Sequence, residues 1–119
     1  MVLDNKSIAR KAASIWVSKD LALLNEVYDE NCIHHQQSEH HDLKIVGLEE
    51  WRKCMEEFLH KYPDYKETII HQIAENDFVV STLDCSVSSI TWSGVTIDRI
   101  KNGKIAETWV WFKRIPKTT

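Results

Sequence analysis

Glycine and proline are scarce, three and two in 119 residues. So few turn and linker residues leave little chain for long flexible segments. Cysteine is nearly as rare. Cys32, Cys54 and Cys85 are odd in number, widely spaced and form no Cys-x-x-Cys pair, which excludes a disulfide framework. They read as reduced, packed thiols, and the expected location is the cytoplasm. There is no run of Lys or Arg, and the formal charge is −3. A nucleic-acid or anionic-membrane partner therefore has no electrostatic footprint here. No apolar stretch approaches the roughly 18 residues of a membrane span, and the start MVLDNKS lacks the hydrophobic stretch of a signal peptide.

What is present is strong periodicity. The length fits one domain, residues 1–119, which can bury roughly two-thirds of its unfolded surface without crosslinks. Asp4 or Ser7 can cap a first helix with Ile8, Ala12, Ile15 and Trp16 on one face. Asp20 can cap a second, LALLNEVY, with Leu21, Leu24, Val27 and Tyr28 as its stripe. CIHH reads as a short strand and QQSEHHDLK as a polar loop. After Gly47, Leu48, Trp51, Met55, Phe58 and Leu59 repeat at three and four, an amphipathic helix that Pro63 helps to end.

From Tyr65 the period becomes two. TIIHQIAE and FVVSTLDCSV read as strands joined at Asn76-Asp77, and ITWSGVTIDRI and KIAETWVWFKRI as strands joined at Asn102-Gly103. Asn-Gly tolerates the positive φ of a type I′ turn, so it predicts a two-residue hairpin loop with Lys101 facing Lys104. Counting outward pairs Asp98 with Glu107, Thr96 with Trp109 and Gly94 with Trp111. One face then carries Asp98, Glu107, Trp109 and Trp111, with Trp92 beyond. Two carboxylates opposite each other repel. In a cavity, repulsion and desolvation raise a carboxyl pKa toward neutrality, where it can shuttle protons. On a solvated face the same acids would simply pair with Lys or Arg. By the weaker register of Asn76-Asp77, His71 faces Thr82 with Asp84 on the diagonal, an imidazole beside an orienting carboxylate.

Four of the six histidines lie in HHQQSEHH, residues 34–41. Neighbouring strand residues point to opposite faces, so His34 and His35 cannot easily share an ion. Neither HExxH nor a Cys/His ligand spacing is present. The expectation is no metal and no cofactor, with His40 and His41 solvated.

GVTIDRIKNGKIAETW resembles the C-terminal hairpin of the SnoaL-like polyketide cyclases, in the nuclear transport factor 2-like superfamily. VYDENCIHH resembles the family's segment entering its first strand, and IVGLEEWRKCMEEFLHKYPDYKETI its Gly-led helix and turn into the sheet. The resemblance covers residues from about 10 to 112. It implies an α+β, cone-shaped (cystatin-like) roll: N-terminal helices on a strongly curved, mainly antiparallel sheet enclosing a pocket. It places the family's acid/base aspartate on Asp98 and its entry-strand histidine on His35, and turns the Asp98 face toward the cavity. The family's second histidine has no counterpart in CSVSSITW.

The expected function is binding of a small apolar molecule, with cofactor-independent cyclase, isomerase or hydratase chemistry as its enzymatic form. Asp98 would transfer the proton, assisted by His35 and Glu107. Trp16, Tyr28, Trp51, Met55, His71, Trp92, Trp109 and Trp111 would contact the ligand. The alternative is a non-catalytic binding or association module. Under either reading the other hairpin face, rich in Val, Ile and Phe, suits a homodimer through the outer sheet face.

Overall fold

The computed structural model describes residues 4–37 and 42–113. Helix α1 spans Asn5–Ser18, and the Asp4 carboxylate accepts the Ser7 N–H at 2.8 Å to cap it. Lys19 ends the helix in a left-handed conformation, its N–H returning to the Ile15 carbonyl. The expected second helix is short: a 3₁₀ turn, Leu21–Leu23, capped by Asp20, runs into α2, Leu24–Val27. Strands β1 (Tyr28–Gln37) and β2 (Asp42–Val46) follow, so the stretch expected as a short strand and loop is largely paired. His40 and His41 lie outside the described residues. Helix α3 spans Leu48–Lys61, with Glu49 and Glu50 in its first turn and His60 and Lys61 in its last. The two glutamates at the start and Lys61 at the end complement the helix dipole.

Strands β3 (Lys66–Glu75), β4 (Phe78–Val87), β5 (Ile90–Lys101) and β6 (Lys104–Phe112) form the expected antiparallel meander. The sheet is larger than that meander. Its order is β2-β1-β6-β5-β4-β3, with β1 parallel to β6 and antiparallel to β2. The result is an α+β roll: helices pack on one face of a curved, mainly antiparallel sheet. Ile15, Leu24, Val27, Val79 and Ile105 are fully buried where α1 and α2 meet it. A second cluster, built on Leu59, Tyr65, Leu83 and Cys85, lies under the end of α3.

The Asn-Gly turn is as the sequence predicts. Asn102 and Gly103 both have positive φ, and Lys101 pairs with Lys104. The register beyond it is not. Ile100 pairs with Ile105, but Arg99 then pairs with Glu107, leaving Ala106 as a bulge. Asp98 therefore faces Thr108 instead of Glu107, and every later residue of β6 is turned over. Packing explains the slip. Ile105 and the set Thr108, Val110 and Phe112 are out of step by one residue. An extra residue lets Ile105, Thr108 and Val110 all bury on one side.

Candidate functional site

The concave face of the sheet carries one row of side chains from each strand. Asp98 on β5, Thr108 on β6 and His34 on β1 are paired positions in three adjacent strands. At about 4.8 Å per strand, this row is roughly 10 Å wide. With the helices above, it borders a cavity of about 720 Å³, within the range of small-molecule sites.

Asp98 lies at the centre of the row and is 6% exposed. The Thr108 hydroxyl donates to its Oδ1 at 2.7 Å, and no cation pairs with it among the described residues. Burial pushes its pKa up to about 6, against the opposing pull of Thr108. A carboxyl so placed changes charge near neutral pH.

Glu67, at the start of β3, also borders the cavity. The Tyr65 hydroxyl donates to Glu67 Oε1 at 2.7 Å and lies 3.4 Å from the Cys85 thiol. Burial raises Glu67 to about 7, the Tyr65 hydrogen bond pulls it down, and the charge of Asp98 adds to the rise. Along flat strands these acids would stand far apart, so their coupling reflects the bend of the sheet. The Tyr28 hydroxyl is raised well above its ordinary range by burial first and then by both acids.

His34 is the cavity histidine. It is buried, and its ring stacks on Trp51 with centroids 3.8 Å apart and planes at 19°. Burial pushes its pKa down to about 3, helped by the neighbouring His35. The imidazole therefore stays neutral at physiological pH. Its Nδ1 has no hydrogen-bond partner. A bare lone pair is cheaper to bury there than an orphaned N–H, which favours the tautomer protonated on Nε2.

Of the sequence-derived site residues, Asp98, Trp16, Tyr28, Trp51 and Trp92 border the cavity. Trp16 meets Trp51, Phe58 and Tyr65 edge-on, forming an aromatic roof. The others lie elsewhere. The bulge at Ala106 turns Glu107, Trp109 and Trp111 to the convex face. His35 lies there too, opposite in alternation to His34. Its Nε2 is 2.7 Å from Glu107 Oε2, and its ring stacks on Trp109. Arg99 donates to Glu107 Oε1 at 3.2 Å. Partial burial raises the Glu107 carboxyl, but these hydrogen bonds outweigh it and hold it below the usual range. His71 and Asp84 are both exposed, and a bulge at Ile70 pairs Asp84 with Thr68. Met55 is fully buried in the core with Ile15 and Leu24, away from the cavity walls.

Sequence reasoning missed His34, Glu67 and Tyr65 as cavity residues. Signals were present. His34 shares strand parity with Tyr28 and Cys32, and Tyr65, Glu67 and Ile69 share one face. Among the described residues, no cluster of His, Cys, Asp and Glu is arranged to hold a metal ion. No described helix is long and apolar enough to cross a membrane.

Helices on a bent sheet around an acid-bearing cavity define a recognisable class. The family model of the SnoaL-like polyketide cyclases matches residues 6–117, and the chain belongs to that family. Its fold is shared with a cystatin-fold protein from Xanthomonas campestris. The TM-score is 0.84 at 20% identity, covering 94% of this chain and 92% of that one. IdmH from Streptomyces antibioticus, a candidate polyketide cyclase, gives 0.80 at 15% identity, covering 93% of each chain. A candidate ketosteroid isomerase from Kribbella flavida gives 0.80 at 13%, covering 97% of this chain and 82% of that one. Identities this low show the fold alone. No curated protein sequence matches the chain.

Proposed function

We propose that this chain binds a small apolar molecule in its cavity and that Asp98 exchanges a proton with it, without a cofactor. The supporting observation is the enclosure of Asp98 on the concave face with a hydroxyl as its partner and, among the described residues, no cation. Ionised, Asp98 is a base that can take a proton from carbon next to a carbonyl. Protonated, it is an acid that can return it. His34 enters as a neutral hydrogen-bond donor through Nε2, replacing the role expected of His35. Aldol-type cyclisation and double-bond isomerisation begin with such a step, and in a hydration the same carboxylate would take its proton from the attacking water. Three free thiols fit a reducing compartment, which supports the cytoplasm.

The test is deuterium uptake. In heavy water, β-tetralone should exchange its α-protons faster with the protein than without it. The rate should rise with pH through about 6 as Asp98 ionises, and Asp98→Asn should abolish the gain. Equal exchange by wild type and variant would remove acid/base chemistry from the reading.

The convex face favours association as a second role. Ile73, Phe78, Val95 and Trp111 are exposed there, and a second copy covering this face would give a homodimer. Sedimentation should show a dimer that Trp111→Lys converts to monomer. A wild-type monomer at high concentration would count against it.

A further inference from the structure

The charges bordering the cavity are not spread evenly along its axis. Asp98 lies level with Thr108, and Gly94 level with Phe112. The four residue steps between those levels span about 13 Å of strand. At the outer level, Lys113 follows Phe112, its N–H fixed to the Ser93 carbonyl at 2.8 Å. Lys61, in the last turn of α3, borders the same opening, with its ammonium 5.3 Å from the Tyr62 ring. Glu57 lies one helical turn before Lys61 and also borders it. Among the described residues, neither lysine is ion-paired, with Glu57 or any other acid. The rim thus carries two exposed ammonium groups against one exposed carboxylate, that of Glu57, while the Glu67 carboxyl is held inside by the Tyr65 hydroxyl. The interior offers an anion nothing, since Asp98 and Glu67 repel it and His34 is neutral.

We infer that the ligand is an elongated apolar organic acid lying head-out, its carboxylate at the rim beside Lys61 and Lys113 and its far end beside Asp98. The inference rests on the cavity being a ligand site and names the ligand's class. An apolar body fills the aromatic interior, and the roughly 13 Å from floor to rim matches an extended chain or a few fused rings. Entry with the head inward would carry an anion past the rim to an acid. Entry with the tail first meets no opposing charge.

The experiment displaces a neutral fluorescent probe, N-phenylnaphthylamine, with dodecanoate and with dodecanol at neutral pH. Dodecanoate should compete about three- to ten-fold more tightly, the scale of one or two exposed ion pairs. Added salt should erode the preference. The double variant K61Q/K113Q should remove it, while Lys53→Gln, elsewhere on α3, leaves it intact. Glu57→Gln should strengthen dodecanoate and leave dodecanol unchanged, an effect that a loss of packing would not produce. If the two ligands compete equally, or the preference survives in K61Q/K113Q, the head-out acid is overturned and the ligand cavity stands. A wild-type protein that binds neither probe nor competitor overturns both.

Discussion

The Thr108 hydroxyl donates to Asp98 Oδ1 at 2.7 Å across β5 and β6, and this contact holds an acid on the concave face with no counter-charge beside it among the described residues. The arrangement costs stability once the acid ionises, and that cost is measurable.

Unfolded, Asp98 ionises near 3.8, and folded near 6. Between these values the folded chain holds more protons, so stability falls as pH rises through that window and stays reduced above it. The gap corresponds to about 3 kcal/mol at about 1.36 kcal/mol per pH unit. Asp98→Asn keeps an acceptor for Thr108 and never ionises. It should be about 2 to 3 kcal/mol more stable than wild type at about pH 8, and near equal at about pH 4. Urea unfolding across that range checks it. A variant less stable throughout would show that Asp98 has a cation partner.

His34 has the opposite sign. Its folded pKa is about 3 against 6.5 unfolded, so the unfolded chain takes up the proton first as pH falls. Stability is then lost progressively below about pH 6.5, by about 2 kcal/mol at about pH 5. His34→Phe keeps a ring on Trp51 and should remove this contribution. The thermal midpoint of the wild type should fall relative to that of His34→Phe as the solution is acidified. Parallel curves would mean that His34 protonates freely in the fold.

Gly94 is set by contact rather than by backbone freedom. A Cβ there would lie 2.7 Å from Phe112 Cδ1 and 3.2 Å from the Trp111 carbonyl oxygen. Gly94→Ala should push the Phe112 ring and cost about 1 to 3 kcal/mol, the range for overpacking. An unchanged urea midpoint would show that the end of β6 moves freely.

Deleting Ala106 removes the bulge. Counted from the Asn-Gly turn, Arg99 then still pairs with Glu107 and Asp98 with Thr108, so Thr108 and Val110 stay inward by plain alternation. Cooperative unfolding and a native near-ultraviolet dichroism are the expected outcome. Loss of both would mean that the strand needs the local bend of the bulge, and not only its change of phase.

How much of this was legible depends on how local each signal is. Helix α3 was readable because Leu48, Trp51, Met55 and Leu59 repeat on one face, and all are buried. The Asn102-Gly103 turn was readable because its φ values need those residues. Asp98 reached the concave face only through the family resemblance, since alternation alone allowed either side. The bulge has no Gly or Pro to mark it. It follows from a phase conflict between Ile105 and Thr108 that appears only when both must be buried. Trp109, Trp111 and Glu107 were misplaced by that single residue. His34 and His35 were exchanged because β1 pairs with β6, some seventy positions away, and nothing local sets its phase.

Asp98, Thr108 and His34 occupy the middles of their strands, where each backbone is tied to neighbours on both sides. Lys61 and Lys113 occupy the ends of a helix and a strand, where chains tolerate insertion and replacement. The two tasks of such a receptacle, reacting and choosing, are therefore inherited separately. Descendants of this chain can exchange one guest for another by altering its lip while the chemistry below remains unchanged.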